Sequence, residues 1–148
     1  MNSYQIVLHA HSGFRWLALI AAVVILLKSI AGLIGNSKYQ KLDNILAASF
    51  VGTMHLQFLL GLVLYFFLSP ITEAAFQDFG AAMNNTDLRF WAVEHLFIMV
   101  IAIALAQVGR TLSKKAENDK SKFTKQVIFY GISLVLMIAG IPWDRVTG

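Results

Sequence analysis

Four long apolar runs limit what this chain can become: Ile6 to Ile34, Ile45 to Leu68, Phe90 to Val108 and Val127 to Trp143. A helix that crosses a bilayer needs about 20 mostly apolar residues, within a range of about 17–25, and every run reaches that range. Together they occupy most of the 148 residues, and charged side chains make up only 14% of the chain. That is not the composition of an ordinary soluble domain. The expectation is all-α: one integral membrane four-helix bundle over residues 1–148, embedded in a lipid bilayer.

The first run is read as a retained helix. The segment before it, MNSYQ, carries no positive charge, and the run exceeds the roughly 7–15 residues of a signal-peptide core. The absence of cysteine removes disulfides, thiolate ligands and covalent haem attachment. A cofactor would then be held by His, Met, Asp, Glu or backbone.

Topology is read from the loops. Lys38 and Lys41 follow the first run, and Arg110, Lys114, Lys115, Lys120, Lys122 and Lys125 follow the third. The connection after the second run carries Glu73, Asp78 and Asp87 against Arg89 alone. Basic loops stay in the cytoplasm, so both termini are expected outside, on the periplasmic face. The net charge of +4 reflects this asymmetry and is read as a topology signal, with no nucleic-acid partner.

Ionisable groups gather at the start. LHAHSGFRW, Leu8 to Trp16, puts His9, His11 and Arg15 in the mouth of the first run, in a chain with 4 histidines. A central arginine costs about 2.5–3.5 kcal/mol on insertion scales, so such groups are usually kept for a use. Phe14, Ala18, Ala21, Ala22, Ile25, Ser29 and Gly32 recur at helical spacing, opposite the bulky Trp16, Ile20, Val24 and Leu27. Small residues mark helix contacts in bilayers, so that stripe is expected to face the bundle. His11 and Arg15 fall on the inward side, whereas His9 lies about 200° around the helix from His11. Ser3 is the expected N-cap, Gly35-Asn36-Ser37 the stop, and Lys28 is expected to snorkel to the headgroups.

In the second run His55 lies about eleven residues, or about 16 Å, from the belt of Tyr65, Phe66 and Phe67, with Gly52 one turn before it. Gln57 suits a hydrogen bond to a neighbouring helix. The following connection contains TEAAFQDFGAAM, a short amphipathic piece for the interface. In the third run Phe90 and Trp91 read as belt residues, and Glu94 and His95 follow at a depth comparable to His11. The fourth run has no ionisable side chain before Asp144 and Arg145; its Gly131, Ser133 and Gly140 point to close packing.

Imidazoles on different helices at matching depth can clamp a haem iron from both faces. His11 and His95 are the first candidates, as ligands of a haem or a metal ion, with His55 and His9 as further ones. Arg15 would neutralise a propionate, Gly13 or Gly52 would let the macrocycle approach, and Glu94 would fix a histidine tautomer or pair with Arg15. The pattern leaves open a haem, a non-haem copper, zinc or iron held by His9, His11, His55, His95 and Glu94, and polar groups that only lock helices together.

Taken in order, LHAHSGFRW, HLQFLLGLVLYFFLSP, FWAVEHLFIMVIAIAL and IPW resemble a family of short four-helix bacterial membrane proteins described as cytochrome b-like. More distantly, a histidine on the first run, a Gln-Leu-Leu-Gly-like pattern on the second and a histidine on the third are similar to one half of haem A synthase. That resemblance implies His11 and His95 as ligands of a haem near the outer face. The opening YQIVLH is similar to small four-helix diheme cytochromes b, which implies His9 instead; the chain departs from that pattern in lacking a histidine on the fourth run. The expected function is binding of haem b in a bacterial inner membrane and electron transfer near its outer face, with a quinone or a larger respiratory complex as partner. Two histidine ligands leave no open iron site, which favours electron transfer over oxygen chemistry. The rival expectations are a cofactor-free accessory subunit of a larger membrane complex and the non-haem metal protein.

Overall fold

The computed structural model describes residues 2–143, so Asp144 and Arg145 lie outside the described residues. Four helices are long and apolar enough to cross a membrane: α1 (Ser3–Ile34), α2 (Lys41–Leu68), α5 (Thr86–Lys115) and α6 (Asp119–Ala139). Between α2 and α5 lie two short helices, α3 (Pro70–Gln77) and α4 (Phe79–Asn84), where the amphipathic piece was expected. The described residues contain no strand. α1 packs against α2 and α6, and α5 packs against α6 and α2, which leaves α1 and α5 on a diagonal of the bundle.

Local chemistry sets the ends. α1 is capped one residue earlier than expected: the Asn2 side chain accepts from the Gln5 N–H at 2.9 Å, and the Gln5 side chain accepts from the Asn2 N–H at 3.1 Å. This reciprocal pair satisfies two backbone donors that the first turn would otherwise leave open. After Gly35, Asn36 takes a left-handed φ of 47°, which asparagine tolerates better than most residues. α3 opens with Pro70, behind a Ser69 cap whose side chain accepts from the Thr72 N–H.

Ala18, Ala22, Ile25, Ser29 and Gly32 of α1 are buried, at alternating steps of four and three residues. Continued towards the N-terminus, that rhythm reaches Arg15 and His11, and Phe14 falls off it with 40% of its surface exposed. The small residues let neighbours approach: a Cβ on Gly32 would lie 2.5 Å from the Phe123 ring. Lys28 does not simply snorkel. Its Nζ lies 3.1 Å from Oδ1 of Asp43, which is fully buried, and the other oxygen of that carboxylate accepts from the Gln40 N–H at 2.7 Å. A buried carboxylate is tolerated when paired and hydrogen-bonded, and Lys28 supplies the pairing.

Helix length explains where space is left. α6 has 21 residues and α1 has 32, or about 32 Å and 48 Å at 1.5 Å per residue. Short connections, residues 35–40 and 116–118, join the helices at one end. At the other end α6 stops at Gly140 while α1, α2 and α5 run on, and a cavity opens there.

Candidate functional site

His11 on α1 and His95 on α5 come together across the diagonal, edge-on, with ring centroids 6.4 Å apart and ring planes at 75°. A glycine on a third and a fourth helix supports each ring. On α2, a Cβ at Gly61 would come within 3.2 Å of His11 Cε1, so the absent side chain is what leaves the imidazole its place. On α6, the Gly140 carbonyl oxygen lies 2.8 Å from His95 Nδ1. A carbonyl can only accept, so Nδ1 carries the proton and neutral His95 keeps its lone pair on Nε2.

Both histidines border a cavity of about 320 Å³. That is at the small end of the range for ligand sites, about 300–1,000 Å³. Its floor, two turns further into the bundle, is apolar and includes Met54, Ile103 and Met137, all buried. The polar side chains on its wall include His11, Arg15, Gln57 and His95. Two buried polar atoms on that wall lack a hydrogen-bond partner, Nε of Arg15 and Oε1 of Gln57, whereas the His11 ring hydrogen-bonds to the Gln57 backbone. Buried polar atoms are nearly always satisfied by protein, water or ligand, so these two suit an occupant with complementary groups. Gln57 does bond to a neighbouring helix, its Nε2 donating to the His11 carbonyl at 2.7 Å.

Two π-helical segments, Leu64–Leu68 at the end of α2 and Phe90–Glu94 within α5, stand beside the cavity. Such segments are rare and occur often at functional sites. Tyr65, expected as a belt residue, joins them: its hydroxyl donates to the Ala92 carbonyl at 2.6 Å. Its own carbonyl accepts from the Thr72 hydroxyl at 2.8 Å, which ties α3 over the site. Phe90 and Trp91 flank the His95 ring, with centroids 5.8 and 5.4 Å away.

The remaining candidates are placed elsewhere. His9 is exposed on the outer face of α1, and His55 is exposed on α2, with Nδ1 donating to the Val51 carbonyl of its own helix at 2.8 Å. Gly13 and Gly52 have no atom within 4 Å of a built Cβ, so the close approach expected of them falls to Gly61. Glu94 accepts from Arg89 at 2.7 Å and neither orients a histidine nor pairs with Arg15. Arg89 lies five residues before it, and the π-helical turn brings the two side chains together. Arg15 sits four residues past His11 and therefore about 6 Å further into the bundle. Its guanidinium lies 5.2 Å over the Trp16 ring. Among the described residues no three His, Cys, Asp or Glu side chains gather to hold a metal ion. The five-residue ligand set considered for copper, zinc or iron is therefore not assembled, because His9 and His55 point away from the bundle centre and Glu94 is engaged.

Gly61 ends the Gln-Leu-Leu-Gly-like pattern of the second run, which gave it no role of its own, although Gln57 and Gly61, four residues apart, share one face of α2. Compared with protein-family models, curated proteins and solved structures, the chain matches none of them.

Proposed function

We propose that this protein binds one b-type haem between His11 and His95 and takes part in electron transfer at the membrane surface near that end of the bundle. The observation that carries the reading is the pair of imidazoles on a shared cavity, 6.4 Å between ring centroids. A metal–imidazole bond is about 2.0–2.1 Å and a ring nitrogen lies about 1.2 Å from its ring centre, so two imidazoles on opposite sides of one ion have centres about 6.4 Å apart. Two side-chain ligands suffice for haem, because the macrocycle brings four nitrogens of its own; a bare ion asks for three or four.

The chain's own groups have separable tasks. Gly140 holds His95 in the tautomer that leaves Nε2 free to bind, and Gly61 leaves room for His11. Arg15, with its Nε buried and unpartnered, suits a propionate. The apolar floor keeps water from passing deeper. When bound, haem supplies a one-electron iron couple. With the basic loops in the cytoplasm, this end is the periplasmic face of a bacterial inner membrane, where a quinone or a larger respiratory complex would exchange the electron.

Purification in mild detergent tests the reading. A reduced-minus-oxidised spectrum should show sharp haem bands that persist in His9→Ala and His55→Ala and vanish in His95→Ala with helicity intact. A haem-supplemented preparation without bands overturns it: metal without bands favours an ion site, and neither favours an accessory subunit.

A further inference from the structure

We infer that the basic end of the bundle holds a site for the phosphodiester headgroup of an anionic phospholipid, where α2 and α5 meet beside Lys41, Arg110 and Lys114. The inference is independent of the haem reading. Arg110 is half-buried, and one of its terminal nitrogens donates to both the backbone carbonyl and the side-chain oxygen of Asn44, each at 3.3 Å. That contact docks a guanidinium of α5 against α2. Lys114 follows Arg110 by four residues on α5, and Lys41 precedes Asn44 by three on α2, so both share the faces that Arg110 and Asn44 turn towards each other.

No carboxylate among the described residues forms an ion pair with these cations. Among the described residues the ion pairs are Lys28 with Asp43 and Arg89 with Glu94, and Asp43 is further engaged by the Gln40 N–H. Apart from Lys28 and Asp43, the two connections and adjoining helix ends at this end of the bundle carry eight basic residues against Glu117 and Asp119, a surplus of six positive charges. Scattered lysines on a solvated face would mean little. Arg110 differs: it lies five residues inside the end of α5, about 7.5 Å, docked against Asn44 of α2, with a planar fork of donors that matches phosphate oxygens. Basic pockets between spanning helices are the setting in which acidic headgroups bind.

The test uses the full chain in neutral detergent. Native mass spectrometry and thermal unfolding are followed while phosphatidylglycerol, phosphatidylcholine or inorganic phosphate is added. Phosphatidylglycerol should be retained and raise the melting temperature, and the other two should do neither. Each basic residue near an anionic surface strengthens attraction about fivefold, so K41Q/R110Q/K114Q should weaken retention on the order of 100-fold at low salt. K120Q/K125Q, at the same end but on α6, should stay near wild type. Arg110→Lys, which keeps charge and loses the fork, provides a milder variant should the triple one misfold, and it should retain less lipid than wild type. Equal shifts with phosphatidylcholine or phosphate, equal losses in K120Q/K125Q and the triple variant, or unaltered retention in Arg110→Lys would each overturn the site.

Discussion

The Nδ1–H of His95 on α5 donates to the carbonyl oxygen of Gly140, the residue that ends α6, at 2.8 Å. The last carbonyls of a helix have no partner inside it, so the end of the shortest of the four spanning helices provides the acceptor that sets a histidine's tautomer. His55 makes a bond of the same length to Val51, yet it lies on an exposed face and the cavity is not within its reach. Equal hydrogen bonding with unequal placement separates a site histidine from a surface one.

Gly61→Ala tests the support of His11. Its methyl would meet His11 Cε1 at 3.2 Å, close enough to displace the ring by a few tenths of an ångström towards the cavity. Because the ring has space on that side, the stability change should stay below about 1 kcal/mol. The haem bands should shift and haem retention fall. Gly52→Ala, with open space around it, should leave the bands alone and stabilise α2 by about 0.5–1 kcal/mol. Spectra and thermal unfolding of the two variants decide it.

Much of the architecture was legible because hydrophobic length and the three-and-four rhythm are local properties. The row from Gly32 back through Ser29, Ile25, Ala22 and Ala18 leads to Arg15 and His11, and a strict count would have excluded Phe14. Depth alone paired His11 with His95. Other features depend on partners far away in sequence. That Asp43 takes Lys28, or that Gly140 serves His95, is decided by how helices meet. Glu94 is a different case: its partner Arg89 is close by, but the π-helical turn between them has no sequence signature.

Lys28 and Asp43 form a pair whose loss is asymmetric. Asp43 is fully buried, whereas the Lys28 side chain is 40% exposed. Lys28→Met strands a buried carboxylate and should cost about 2–3 kcal/mol, less than the 3–5 of a fully buried pair because the amine is partly solvated. Adding Asp43→Asn removes the stranded charge and should restore most of that loss. Thermal unfolding of both variants is the measurement, and a double variant no more stable than Lys28→Met would exclude this account.

Tyr39 lies in the connection between α1 and α2, where its hydroxyl accepts from Gln126 Nε2 at 2.8 Å. Burial raises its pKa above the ordinary tyrosine value. The folded state therefore holds the phenolic proton more tightly than the unfolded chain does. That contribution is fully present below the unfolded value of about 10, and it is lost as pH climbs through the higher folded value. Melting temperatures followed from neutral to strongly alkaline pH should fall more steeply in wild type than in Tyr39→Phe, and parallel curves would refute the assignment.

The closest approach at any described glycine, that at Gly109, tests how rigidly the bundle holds the site. A methyl on Gly109 of α5 would sit 2.4 Å from Phe129 Cβ and 3.3 Å from Tyr130 Cε1 on α6. A Cβ cannot rotate away, being fixed to its backbone, so relief requires the two helices to part. Forced overpacking of this kind costs about 1–3 kcal/mol. His95 lies fourteen residues along α5, about 21 Å away, and its bond to Gly140 spans the same pair of helices. Gly109→Ala should thus lower the melting temperature and also loosen haem binding. Gly131→Ala, whose nearest neighbour would be a Leu26 methyl at an ordinary 3.9 Å, should do neither. If Gly109→Ala unfolds earlier but keeps its haem bands, the histidine end of the α5–α6 pair is set independently of its middle.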